Sequence, residues 1–335
     1  MRIHLVGEAA DHEAELRQHL QTAFDLVALP ADAASTSRYD ETIEPDDIVV
    51  SLRFGRPGGQ APPFRLLHVP GAGLDGIDLD ALHPSTAVAN VYEHEGPIAE
   101  FVLARLLEWE IRAGEMQSRF TPRTWPDLYR GRTPHGEIRG RTLGIVGYGR
   151  IGRAIAARAS GFETRILAAD DVAGPDGVAQ VLPTDQLDKV LAEADYLVLA
   201  CPLTPATTGL IDRAALARMR AHAVLVNVAR GPVVDQAALY EALRDGVIGG
   251  AVLDVWYAYP RSADDHPAPA SHPFWELPNA WCTPHSCAWT RELPARRYRV
   301  VAENVDRLAS GQPLTNLVRA GKSSATAPPP RRERT

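Results

Sequence analysis

The sequence predicts an α/β protein made of two domains, each built on a parallel sheet. Three observations carry this. Short apolar runs alternate with helical stretches through the first hundred residues. From Arg141 the same alternation restarts with longer, near-continuous apolar runs. A G-x-G-x-x-G sits where one of those runs gives way to a helix. The length of 335 residues allows two cores of roughly 150 residues each.

Taken in order, "IHLVG" (3–7), "FDLVAL" (24–29), "DDIVVSL" (46–52) and "RLLHVP" (65–70) read as strands bounded by turn residues, and "HEAELRQHLQTA" (12–23) has helical spacing. In "GPIAEFVLARLLEWEIRAGEM" (96–116), Ile98, Phe101, Val102, Arg105, Leu106 and Trp109 share one helical face, with Pro97 in the first turn. Leu103 and Leu107 make that helix apolar on more than one side, which suits an oligomer contact as well as a core. The second series of strands is "TLGIVG", "TRILAAD", "YLVLACP", "AVLVNVA" and "GAVLDV". The tail "GKSSATAPPPRRERT" (321–335), rich in Pro, Ser and Arg, is expected to be disordered.

Composition excludes several classes of function. A net charge of −7 argues against a nucleic-acid binder. No apolar run reaches the roughly 20 residues of a membrane helix. The acidic N-terminus "MRIHLVGEAADHEAEL" does not suit a secretory signal, and three cysteines suit reduced thiols, so a cytoplasmic protein is expected.

In "LGIVGYGRIGRAIAARA", Gly147 allows a tight turn, Gly149 lets backbone approach a pyrophosphate, and Gly152 lets helix pack on strand. The helix N-terminus supplies N–H groups for phosphates. Asp170 closes the next strand, where a carboxylate accepts from an adenosine ribose and repels a 2′-phosphate; NAD is therefore expected over NADP.

The stretch "NAWCTPHSCAWT" places His285 between Cys282 and Cys287. Two cysteines five apart with one histidine, and no second cluster, do not make a usual zinc set, so no metal is expected. Cys282 reads as a buried strand residue and Cys287 as a helix-start residue near the cofactor.

The motifs "VPGAGLDGID", "GPIAEFVLA", "GIVGYGRIG" with Asp170, "CPLTPATTGLI", "VNVARGPVVDQAAL", "GGAVLDV", "NAWCTPHS" and "ENVDRLASGQPLTNLV" occur in this order. Together they resemble the D-isomer-specific 2-hydroxyacid dehydrogenases, which include phosphoglycerate, hydroxypyruvate, formate and phosphite dehydrogenases. The resemblance runs from about residue 45 to 319 and implies two Rossmann-like domains with a cleft between them. It implies a discontinuous, flavodoxin-like substrate domain of 1–97 and 288–320, and an inserted NAD-binding Rossmann domain of 98–287 that also makes a homodimer. By the same resemblance Arg230 orients a small anionic substrate and His285 is the acid–base. Arg150 and Ile151 lie on the pyrophosphate turn. Cys201, Pro202, Val228, Ala229, Asp254 and Ala288 line the cofactor with Arg230 and His285. The backbone of Gly71, Ala72 and Gly73 holds the substrate's acid group, and Arg53 suits a second anion such as a phosphate or phosphonate.

The departure from the family pattern is at Tyr259. Family members normally carry there a glutamate that pairs with the histidine and raises its pKa, while formate dehydrogenases use an amide. Either the Tyr259 hydroxyl bonds His285, leaving its pKa near the ordinary value of about 6.5, or an acid comes from the altered hinge loop "NVYEHEGPIAE", where Glu93 and Glu95 flank His94, itself a candidate substrate contact. Two alternatives remain open from the sequence: a formate- or phosphite-type dehydrogenase, and an NAD(H)-sensing corepressor-like regulator with little turnover.

Overall fold

In the computed structural model, which describes residues 1–260 and 264–322, the chain first forms β1 (Arg2–Val6), α1 (Glu13–His19), β2 (Asp25–Leu29), β3 (Ile48–Val50), β4 (Leu66–Val69) and β5 (Ala87–Asn90). The middle of the chain follows with α2 (Glu95–Ile111), α3 (Ala113–Arg119), α4 (Trp125–Arg130), β6 (Thr142–Val146), α5 (Arg150–Ala159), β7 (Arg165–Ala169) and β8 (Gln180–Leu182). It continues through α6 (Leu187–Glu193), β9 (Tyr196–Leu199), α7 (Arg213–Arg218), β10 (Val224–Asn227), α8 (Gln236–Arg244), β11 (Gly250–Leu253) and β12 (Ala280–Cys282). The last elements are α9 (Leu293–Ala309) and β13 (Leu317–Arg319).

Two compact units result: Met1–Glu93 joined by the segment from Thr290, and His94–Trp289. In the first unit the sheet order is β13-β5-β4-β3-β1-β2, parallel except for the β13 edge. Without β13 this is the flavodoxin-like order, which reverses direction between β1 and β3. Successive residues of each strand feed opposite faces. Val6, Val49, Leu67 and Val88 pack with Phe54 and Phe64 on one face. On the other, Ile3, Leu5, Ile48, Val50 and Leu66 pack with Leu16 of α1 and with Tyr298, Val301, Ala302 and Val305 of α9.

The second unit has the all-parallel order β12-β11-β10-β9-β6-β7-β8, a doubly wound Rossmann sheet that reverses direction between β6 and β9. Its inner strands β6, β9, β10 and β11 are buried on both faces, as their continuous apolar runs require. One face packs under α6, α7 and α8. The other packs under α2 and α5, where Ile155, Ala156 and Ala159 are fully buried. A side chain the size of Ile155 contributes about 1.5–3 kcal/mol by such burial.

The structure corrects several details. The first helix covers only Glu13–His19, preceded by a 3-10 turn over Gly7–His12. The buried positions of α2 are Ile98, Ala99, Val102, Leu103 and Leu106, so its core face is rotated toward Ala99 and Leu103; Phe101, Leu107 and Trp109 are only partly buried. Cys287 is buried, but it lies in a largely exposed turn, six residues before α9 begins at Leu293. Cys282 is on a strand and half-buried. Of the expected disordered tail, Gly321 and Lys322 are packed on the first unit, with Lys322 N–H donating to Pro84 O at 2.9 Å; the remainder lies outside the described residues. No helix among the described residues is long and apolar enough to cross a membrane.

Candidate active site

The turn after β6 is shaped by what a Cβ would strike. Gly147 has φ +91°, and a Cβ there would lie 2.6 Å from the backbone of Cys201, which follows β9. The glycine thus lets the two loops meet at the point where the sheet reverses, the place where open α/β sheets bind ligands. A Cβ on Gly152 would come 2.3 Å from Gly147 O, so α5 closes on the turn only through a glycine. Around Gly149, at the N-cap of α5, a Cβ would meet nothing within 4 Å. That open backbone fits a pyrophosphate, which needs close approach to helix N-terminal N–H groups. Ile151 packs partly into the core under α5, and exposed Arg150 lies 3.9 Å from Glu95 at the start of α2.

Asp170 is anchored from three sides. Its Oδ2 accepts the N–H of Tyr148 at 2.8 Å, and its Oδ1 those of Val172 and Ala173 at 2.8 Å each. Burial tends to raise its pKa, but these backbone donors outweigh that and hold the carboxyl below its ordinary range. It therefore presents a fixed negative charge with acceptor capacity left for a ribose hydroxyl. Asp171 is turned elsewhere, accepting both the N–H and hydroxyl of Thr184.

The turn after β12 carries His285, whose φ of +56° is rare for a residue with a Cβ. Asp254, fully buried at the end of β11, holds that turn. It accepts the Thr283 hydroxyl at 2.6 Å, the Ser286 N–H at 2.9 Å and the Cys287 N–H at 3.0 Å. His285 is exposed as a residue, but partial burial of its ring tends to lower its pKa below the ordinary 6.5; the Asp254 charge opposes this and the Arg230 charge adds to it. Arg230 follows β10, its carbonyl held by Asn227 Nδ2 at 3.0 Å and its own Nη1 on Ala229 O at 2.7 Å. Val228 and Ala229 before it are buried.

Residues 103–287, which contain both turns, match the family model described as the NAD-binding domain of D-isomer specific 2-hydroxyacid dehydrogenases. The chain belongs to this family. It is similar to the glyoxylate reductase of Korarchaeum cryptofilum, at 36% identity over 270 residues covering 77% of each chain. It is also similar to the D-3-phosphoglycerate dehydrogenase of Mycobacterium leprae, at 34% identity over 77% of this chain and 47% of that protein. The chain thus spans about half the length of the phosphoglycerate dehydrogenases it matches. A solved NAD-dependent formate dehydrogenase from Staphylococcus aureus, in complex with NAD, aligns with a TM-score of 0.69 at 25% identity, covering 96% of this chain and all of that one.

An aromatic ring stands beside the histidine. Tyr259 and His285 stand with ring centroids 5.5 Å apart at 52°. The Tyr259 hydroxyl oxygen accepts the N–H of Trp256 at 2.9 Å, turning it back toward its own loop. Trp256 in turn donates its indole N–H to Thr283 O at 2.8 Å. The hinge acids have other partners: Glu93 faces Arg296 at 3.8 Å, and Glu95 faces Arg150. His94 is buried at the N-cap of α2. The dehydrogenase's remaining expected cofactor-lining residues, Pro202 and Ala288, are exposed and half-buried respectively.

In the first unit, Gly71, Ala72 and Gly73 follow β4, with Ala72 O accepting Asn90 Nδ2 at 3.0 Å. Arg53 is exposed in the loop after β3, where that sheet reverses direction. Cys201 and Cys282 are each pushed up to about 11 by burial, and Cys287 further still, by burial and then by Asp254. Such thiols are poor metal ligands and nucleophiles. No group of three or more His, Cys, Asp or Glu among the described residues is arranged to hold a metal. Sequence reasoning placed Asp254 on the cofactor and missed its grip on the His285 turn. The signal available was the pair of hydroxyl residues, Thr283 and Ser286, flanking the Pro–His step.

Proposed function

We propose that this dehydrogenase interconverts a small anionic 2-hydroxyacid and its 2-ketoacid, with NAD preferred over NADP. The observation that supports this best is the convergence of Asp254, Arg230 and Tyr259 on the His285 turn, at the carboxyl ends of β10, β11 and β12. NAD, held by the Gly147–Gly152 turn with Arg150 and Ile151 and by Asp170, supplies the hydride acceptor or donor when bound. Arg230 offers the planar fork that holds a carboxylate beside the reacting oxygen. His285 takes the hydroxyl proton in oxidation and returns it to the carbonyl oxygen in reduction.

The depressed pKa of His285 makes the neutral imidazole the resting form at neutral pH, which suits the oxidation direction. Reduction needs the protonated ring and so weakens as pH rises through the histidine's pKa, below the ordinary 6.5. We assign substrate contacts to Ala72, Gly73 and Arg53 at the carboxyl end of the first unit's sheet, and to His94. Arg53 extends the substrate class to acids with a second anionic group, a phosphate or phosphonate. The exposed aromatic cluster of Phe120, just after α3, with Trp125 and Tyr129 of α4 supports a homodimer formed through the NAD-binding unit.

The test is nicotinamide absorbance against a panel of 2-ketoacids, 2-hydroxyacids, phosphorylated hydroxyacids, phosphonates, formate and phosphite, across mildly acid to alkaline pH. Turnover of one 2-hydroxyacid or ketoacid class, lost in Arg230→Ala and His285→Ala, is the expected result. Turnover of formate or phosphite alone would replace this reading with chemistry that leaves no alcohol to protonate, which the missing acid beside His285 also suits. NADH binding without turnover on any substrate would favour a sensing role. Light scattering on the same sample is expected to give the mass of two chains; that of one chain removes the dimer.

A further inference from the structure

Tyr148, between the first two glycines of the turn, is fully buried and held at both ends by aspartates of the next loop. Its N–H donates to Asp170, and its phenol O–H donates to Asp176 Oδ2 at 2.8 Å. Arg153, one turn into α5, donates to the same Asp176 oxygen at 2.8 Å and to Gly174 O at 3.0 Å. Its guanidinium lies 4.7 Å from the centroid of the Tyr148 ring. The other Asp176 oxygen accepts the N–H groups of Val178 and Ala179. Segment 170–179 is thereby pinned to the glycine turn twice, once by each aspartate. Gly174, which Arg153 grips, directly follows Ala173, whose N–H fixes Asp170.

A phenylalanine at 148 would fill the same buried volume, so packing alone gives no use for the hydroxyl. Its use lies in the cation beside it. Arg153 comes from the helix that opens the dinucleotide turn, and its guanidinium reaches the loop that starts at the ribose-reading carboxylate. A guanidinium placed there matches a phosphate in charge and geometry. Asp176 occupies it instead.

We propose that Asp176 is a positioning residue that sets cofactor selectivity. Through Tyr148 and Arg153 it fixes the loop that orients Asp170 toward an unphosphorylated ribose, and it keeps the Arg153 cation from a 2′-phosphate. This rests on Asp170 reading the ribose.

Fluorescence titration of the full chain with NADH and with NADPH, without substrate, tests it. Asp176→Asn is expected to weaken NADH about 3-fold and to tighten NADPH about 5-fold or more, since the freed guanidinium gains a charge-assisted partner. Adding Arg153→Gln should abolish the NADPH gain. Tyr148→Phe leaves the Arg153–Asp176 pair and should weaken NADH mildly with no NADPH gain. Loss of packing alone would weaken both cofactors together, so an Asp176→Asn protein that weakens both equally, or changes neither, overturns the proposal. Asp170→Ser separates the two ideas. If wild type prefers NADH and Asp170→Ser loses that preference while Asp176→Asn keeps it, the ribose reading stands and this inference fails. If wild type binds both cofactors alike, the ribose reading fails and this inference goes with it.

Discussion

The turn after β6 and the turn after β12 end strands of one parallel sheet, and both bend the backbone into the left-handed region. They reach it differently. At the first, Gly147 adopts φ +91° with no Cβ to object, and the neighbouring Cys201 backbone occupies the space a side chain would need. At the second, His285 adopts φ +56° while keeping its Cβ. Such a conformation costs on the order of 1–3 kcal/mol. The buried Asp254 offsets it with three hydrogen bonds to a charged acceptor, each worth roughly 1.5–3 kcal/mol. One turn is built from its own residues. The other is imposed on a histidine by a carboxylate about thirty positions earlier in the chain.

The largest break in this comparison is Gly147→Ala. A Cβ at 2.6 Å from Cys201 backbone, on a left-handed residue, forces the two loops apart. A loss of roughly 3 kcal/mol or more is expected, read as a lower Tm together with abolished NADH fluorescence enhancement; retention of both would show the turn to be more yielding than its geometry implies. Next comes Asp254→Asn. An amide keeps the shape but turns a donor toward one of the three donors it now receives. The His285 turn should loosen, lowering kcat about 10- to 100-fold while NADH affinity holds within about 3-fold. A matching loss of NADH affinity would instead place Asp254 on the cofactor.

The smallest and sharpest is Tyr259→Glu. A carboxylate in place of the ring would favour the imidazolium and raise the His285 pKa. The sign follows directly: reduction, which uses the protonated ring, should persist to higher pH, and the oxidation limb should shift upward with it. A pH profile identical to wild type would mean that His285 does not exchange the proton.

How far the sequence revealed each turn follows from the same difference. The glycine spacing, the preceding strand and Asp170 all lie within about 30 residues, and local patterning placed them. Strands β6, β9 and β10 were equally plain because burial on both faces makes their apolar runs continuous. Strands β5 and β8 were not, since "AVAN" ends on a polar residue and "QVL" is only three residues long, so neither stands out from loop. At the His285 turn the sequence offered the residue and the absent acid but not the partners. Nothing in "NVYEHEGPIAE" says that Glu93 meets Arg296 or that Glu95 meets Arg150, because those pairings depend on how distant segments fold together. The Tyr148 hydroxyl was invisible for the same reason: its partner sits 28 positions later, in a loop without a motif.

The return of α9 to the first sheet has a consequence for synthesis. Tyr298, Val301, Ala302 and Val305 cover Ile3, Leu5, Ile48 and Val50 beside Leu16 of α1, so one face of the first sheet lacks one of its two covering helices until α9 exists. Before that, all of His94–Trp289 must emerge, which takes roughly 10–40 s at ordinary elongation rates. The inserted unit, contiguous in sequence, can fold during that interval. The sheet made before the inserted unit therefore completes its core after it, and the part of its apolar face that α9 will cover is the surface a ribosome-bound chaperone would meet.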